Sequence, residues 1–224
     1  LNLIPLMLRR FFENKYIQKV VPDREEQVKF QKEFMRREGI VDKVTLESWL
    51  LKNGKTEAEM NKQLYNAVRL DQFKKNQFGG SIEPLFLERK SDLDRVTYSL
   101  LRVKNRAKVT ELHLRLQEEE ATFPDLASTY SEGVENVLHG LIGPVEFANI
   151  NPLIAERLRN SSPGQLWPPF EIDGWWIILR FERLMPASLT EAMRTRLIEE
   201  VYENWIKEKI INTMSQLEIN KSST

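Results

Sequence analysis

The sequence predicts an α+β protein, with helices at both ends of the chain and a smaller mixed segment between them. Three observations carry this. The first 90 residues break into short amphipathic stretches opened by capping residues and closed by Gly39, Asn53–Gly54 and Gly79–Gly80. After Ser91–Asp92 the pattern changes to an extended run, three helical pieces and a hairpin. Past Ser188 one long apolar stripe at helical spacing closes the chain. These changes set boundaries at 1–92 for an N-terminal helical region, 93–185 for the mixed domain and 186–224 for a C-terminal helix. That helix is expected to pack on the N-terminal region.

In the first region Ile4 to Val20 is apolar-rich, and Pro5 sits near its start, where a missing N–H matters little. Asp23 caps the next helix, with Glu26 three residues on. Phe30 and Phe34 share a face of it, and Gly39 ends it. A short helix over Leu46 to Lys52 starts at Thr45. Thr56 and Glu59 make a capping box for the helix that follows, whose buried stripe is Met60, Leu64, Ala67 and Val68. Ile82 to Lys90 is a last helical piece.

In the mixed domain, Arg95 to Val103 holds Val96, Tyr98, Leu100 and Leu101 and predicts a strand. Residues 105–120 are helical, with Val109, Leu112 and Leu116 inward. Phe123 to Tyr130 is a second helix, glycine and proline punctuate 133–144, and Ile150 to Asn160 is a third helix. Two strands, about 165–171 and 175–184, are joined through Asp173–Gly174, a hairpin signal. The order is β, three helices, β, β. In the final helix Ser188 and Glu191 pair as a cap, and Leu197, Val201 and Trp205 repeat at i+4 beside Ile198, Tyr202, Ile206 and Ile210. That stripe is too wide for a solitary surface helix. The tail from Glu218 to Thr224 is expected to fray.

Composition narrows the chemistry. The 224 residues carry 33 basic and 33 acidic side chains, which gives no reason to expect nucleic acid. Residues 1–90 nonetheless hold 18 basic and 13 acidic groups, a net of about +5, and the rest of the chain balances them. The chain has no cysteine, so disulfides, thiolate nucleophiles and cysteine metal sites are excluded. Its two histidines, His113 and His139, form no metal-spaced cluster, and no metal or cofactor is expected. No apolar run approaches the ~20 residues that span a bilayer. Leu1–Leu8 precedes Arg9–Arg10, the reverse of signal-peptide order, so the expected location is cytoplasmic; a targeting segment upstream of Leu1 would make it periplasmic or membrane-peripheral.

Three segments agree in order and spacing with one known domain: Phe123 to Glu132, Gly140–Leu141–Ile142–Gly143–Pro144, and Gly174 to Arg180. Over about residues 94–185 the chain resembles a parvulin domain, the fold of one prolyl cis/trans isomerase family. The wider layout resembles SurA- and PrsA-type foldases, in which helices from both ends form a chaperone module around a parvulin domain of β-α3-β2 order. Phe86 to Lys90, Leu93 to Val103 and Gly140 to Val145 are similar to cyanobacterial proteins known as peptidylprolyl isomerases. The resemblance implies a polypeptide-binding function, with unfolded or secreted polypeptides as partners and a type I secretion ABC transporter as a further one.

Residue by residue, the resemblance places the family's polar groups at Tyr98, Gly133, Asp173 and Trp176, and none of the four keeps the family's residue type. Leu141 stands where an acidic residue is usual. The apolar positions that hold proline fall on Ile142, Ile150 and Ile154. Twisting an amide against a barrier of ~20 kcal/mol needs polar groups around the carbonyl as well as an apolar hollow. The expectation is therefore a polypeptide-binding foldase with little or no isomerase activity. Two alternatives stand beside it: an active isomerase using Tyr98 and Asp173 as substitutes, and an adaptor for a transporter. Each residue also has an ordinary use. Tyr98 packs a strand, Asp173 makes a turn, Trp176 joins a core, and His113 and His139 are surface residues. Glu118–Glu120 is a solvated helix end, and Trp167–Pro168–Pro169–Phe170 leads into a strand.

Overall fold

A computed structural model describes the backbone of residues 3–222 and the side chains through Leu217. The chain divides into two compact units, Leu1–Pro84 with Leu189–Thr224, and Leu85–Ser188.

The first unit is helical: α1 (Ile4–Ile17), α2 (Arg24–Arg37), α3 (Lys43–Asn53), α4 (Glu57–Phe78) and the closing α9 (Glu191–Ser222). The caps are local chemistry. Asp23 accepts the Glu25 N–H, and Thr56 and Glu59 form a reciprocal box. Three caps differ from expectation. Glu26 does not close a box with Asp23, whose carboxylate stops at N2. α3 begins at Lys43 because Asp42 is the capping residue and Thr45 is its N3 partner. Thr190, one residue before Glu191, accepts the Met193 N–H, so Ser188 lies outside the last helix. The helix continues to Ser222 where fraying was expected; Ser223 and Thr224 lie outside the described residues.

α9 packs on α1 and α4 around an apolar cluster of Phe12, Phe78, Tyr202 and Ile206, with the rings of Tyr16, Phe73 and Trp205 against it. Trp205 meets Tyr16 edge-on at 4.9 Å and Phe78 at 5.7 Å. A polar seam runs beside it: Arg9 pairs with Glu13 and Glu203, the Tyr202 hydroxyl donates to Glu13, and Lys74 pairs with Glu199. Burial, reinforced by the Glu13 charge and hydrogen bond, pushes the Tyr202 phenol far above its ordinary value. It remains a neutral donor.

The second unit holds a four-stranded antiparallel sheet in the order β2-β1-β4-β3, from β1 (Arg95–Val103), β2 (Leu141–Glu146), β3 (Leu166–Ile172) and β4 (Trp175–Met185). Its helices are α6 (Arg106–Gln117), α7 (Phe123–Tyr130) and α8 (Pro152–Arg159); α5 (Ile82–Leu93) spans the unit boundary. β2 has no counterpart in the sequence reading. Gly143 and Pro144 look like punctuation, yet an edge strand tolerates proline because its outward N–H needs no partner. β3, with Pro168 and Pro169, is the other edge, and its register breaks between Trp167 and Phe170.

Alternation along β1 and β4 divides the core in two. Val96, Tyr98, Leu100, Ile177, Leu179 and Phe181 join one cluster with α8, while Leu101, Val103 and Ile178 join another with α6 and α7. Gly140 (φ +78°) and Gly143 (φ +112°) lie where a Cβ would come within 2.7 Å of Ala127 and 2.5 Å of the Val96 carbonyl oxygen. His113 is not the surface residue its polarity suggests. It is buried one residue beyond the Leu112 stripe of α6, hydrogen-bonded to the Trp167 backbone, and burial depresses its pKa. Tyr202 is fully buried, so Tyr202→Ala is expected to lower the unfolding free energy of the helical unit by about 3–5 kcal/mol, read from urea denaturation followed by tryptophan fluorescence.

Candidate functional site

β1 carries one charged residue among its last apolar positions, Arg102, on the same face as Tyr98 and Leu100. Its guanidinium reaches Glu135 in the 3-10 turn Val134–Leu138, with Nε 3.0 Å from Oε1 and Nη2 2.6 Å from Oε2. Glu135 is only 2% exposed. Ser131, at the end of α7, donates to the same carboxylate at 2.6 Å, and its oxygen accepts the Arg102 N–H at 3.0 Å. Three chain segments are tied through one buried carboxylate. Burial would raise its pKa, but the hydrogen bonds from Arg102 and Ser131 outweigh that and hold it below the ordinary value.

Gly133 lies under this pair. Its φ of −103° suits any residue, so the backbone does not require glycine. Space does. A Cβ there would come 2.0 Å from Arg102 Nε and 2.3 Å from Glu135 Oε2. Those atoms are fixed by their ion pair and cannot swing aside without breaking it. The space above Gly133 is taken by an internal salt bridge, which leaves no room for a side chain there.

Tyr98 is buried on the same face. Its phenol is pushed up by burial and by the Glu135 charge, with Arg102 a smaller opposing influence, so it stays neutral. Ile150 and Ile154 share its cluster at 8% and 7% exposure, and Ile142 packs against them, as do Trp167, Phe170 and Trp175. The structure thus gathers Tyr98, Ile142, Ile150 and Ile154 on one face, with little of the last two open to the outside. Trp176 lies on the opposite face, against the α6–α7 cluster and under Arg106 at 5.1 Å. Trp175 shares the Tyr98 face, with Arg102 5.8 Å and Lys104 4.8 Å from its ring centre. Asp173 sits at φ +51° in the β3–β4 turn. His139 is also left-handed, and its Nδ1 is 2.6 Å from Ser128 Oγ. The two imidazoles are thereby engaged elsewhere.

Arg102, Glu135, Ser131 and Trp175 belong to this candidate site, and none of them was singled out from the sequence. One signal was available: an arginine inside Ser99–Leu100–Leu101–Arg102–Val103, in phase with Tyr98, needs a buried counter-charge. Among the described residues no group of three His, Asp or Glu side chains is placed to hold a metal. No helix among them is long and apolar enough to cross a membrane.

The helical unit offers a second candidate. A groove of about 810 Å³ runs along α2 and the start of α3, floored by Val28, Met35, Ile40, Val41 and Leu46.

The ion pair makes a sharp prediction. Glu135→Gln should destabilise the second unit by about 3 kcal/mol, the low end for a broken buried pair because Arg102 keeps a third of its side chain exposed. A carboxylate with a depressed folded pKa contributes stability above its unfolded value of 4.5 and loses it as pH falls through the folded one. The gap between wild type and variant should therefore be full at neutral pH and close in acid. Gly133→Ala should cost about 1–3 kcal/mol by overpacking. Its effect should fall short of additive when combined with Arg102→Ala, by double-mutant analysis of thermal unfolding.

Comparison with known proteins agrees with this layout. Residues 97–183 match the rotamase family, described as a PPIC-type PPIASE domain. The chaperone SurA of Nitrosococcus oceani is 27% identical over 126 residues, 53% of this chain and 30% of that protein. The chain thus spans under a third of that relative. The crystal structure of PrsA from Bacillus anthracis superposes with a TM-score of 0.50 at 16% identity, covering 95% of this chain and 97% of that one, which shows a shared fold. PrsA from Bacillus cereus, also 16% identical, gives 0.48 over 99% and 83%. Residues 97–183 thus match a PPIC-type parvulin domain, and the chain shares its fold with PrsA of Bacillus anthracis.

Proposed function

We propose that this protein binds unfolded polypeptide through apolar grooves of its helical unit, and that its parvulin domain has little or no isomerase activity. The observation that carries the second half is the Arg102–Glu135 pair lying over Gly133. Isomerisation needs polar groups that meet the client's twisting carbonyl. Here the charged groups nearest that position satisfy one another, and Tyr98 is a lone buried phenol. The domain keeps the apolar residues Ile142, Ile150 and Ile154, but Ile150 and Ile154 are packed into its core, so client binding is assigned to the helical unit.

The first half rests on exposed apolar surface. Val41 and Leu51 are 83% and 85% exposed, and the α2–α3 groove beside Val41 has a volume of about 810 Å³, within the range of ligand-binding clefts. Clients bound for secretion and a type I secretion ABC transporter as partner complete the proposal; they rest on sequence resemblance alone.

Two assays test the reading. In a protease-coupled proline peptide assay the pure protein should leave the slow phase within about twofold of the uncatalysed rate, whose time constant is roughly 10–100 s at 25 °C. Turnover comparable to an active parvulin would refute the claim of inactivity. Stoichiometric protein should suppress aggregation of a thermally unfolding client, and an absence of suppression would favour the adaptor alternative.

A further inference from the structure

The groove along α2 carries more information than its apolar floor. Among the described residues, none of those on α2 or α3 is buried, although both helices carry large apolar side chains. Such a pair has an unfilled apolar face. Its rim is charged in an uneven way. Lys32 and Arg36 line the groove one turn apart, both are exposed, and neither makes an ion pair with any described residue. Like charges at i and i+4 repel by a few tenths of a kcal/mol, so the arrangement works against the isolated helix. The groove's two acids are already engaged. Asp42 accepts the Thr45 N–H at 2.8 Å, and Glu57 sits in the first turn of α4, where the helix dipole favours an anion. The third cation, Lys43, is 3.8 Å from Glu47. The surplus is therefore positive and lies on one wall.

Resting on the polypeptide-binding reading above, we infer that this groove selects client segments in which apolar anchors are flanked by acidic side chains. The apolar residues would seat against Val28, Met35 and Val41, where the unbranched thioether of Met35 adapts to different anchors. Carboxylates one helical turn or two extended residues apart would meet Lys32 and Arg36, relieving their mutual repulsion and forming charge-assisted hydrogen bonds.

Fluorescence anisotropy with two labelled peptides tests this. Both are fourteen-residue leucine amphipaths, one with glutamate and one with lysine at every polar position. The glutamate peptide should bind at least about tenfold more tightly at low salt, and the preference should shrink as salt screens the exposed charges. Lys32→Glu with Arg36→Glu should reverse it. Both sites are exposed, so the fold should hold; Lys32→Gln with Arg36→Gln, which should abolish the preference, serves as the milder pair. Equal binding of both peptides, or a preference unchanged by charge reversal, overturns the acidic selectivity while leaving polypeptide binding in place. Binding of neither peptide overturns the polypeptide-binding reading itself. Sedimentation showing a dimer that the reversal variant dissociates assigns the face to a second copy and also overturns the inference.

Discussion

The buried ion pair between Arg102 and Glu135 organises the second unit. It joins the middle of the sheet, through Arg102 on β1, to the turn after α7, and Ser131 adds a third tie. One carboxylate at 2% exposure would be untenable alone, since desolvation of an unpaired charge amounts to several kcal/mol. Once paired, it dictates what surrounds it. Gly133 must lack a side chain, Tyr98 must remain a neutral phenol, and Trp175 lies within cation–π distance of the guanidinium. The scaffold of a prolyl isomerase domain is therefore compatible with an interior whose polar groups are turned inward to one another.

The helical unit shows the complementary economy. α1, α4 and α9 share an apolar cluster and a polar seam that close one side of the unit. α2 and α3 share none of that enclosure and leave apolar and cationic side chains outward. Burial is concentrated where sequence-distant segments meet, and exposure is concentrated on the local helical hairpin. That division matches what binding of varied polypeptides requires: a rigid frame and an adaptable, incompletely filled face.

Much of this was legible in the sequence because the signals are local. The Thr56–Glu59 box, the strand over 95–103, the helix over 123–130 and the Asp173–Gly174 hairpin each depend on residues within a few positions of one another, and all four are present. The unread features depend on tertiary context. β2 is a strand only because β1 offers it a ladder, which no periodicity in Gly140–Pro144 reveals. His113 is buried because α6 lies on β3, while a lone polar residue on a helix reads as surface. Alternation of faces places Tyr98 and Trp176 on opposite sides of the sheet and brings Trp175 beside Arg102, a separation that depends on strand register rather than on local spacing. Glu135 had no sequence signature at all; its partner lies 33 residues away and only the fold joins them.

A persistent internal salt bridge fills the space above Gly133. The most direct measurement is the Arg102 Nε–H resonance in a nitrogen-15 proton correlation spectrum at neutral pH. The expected signal is dispersed and slowly exchanging, and it disappears in Glu135→Gln while the backbone spectrum of β1 and β4 is retained. An Arg102 side chain exchanging as fast as the exposed arginines, with a native backbone spectrum, would contradict it.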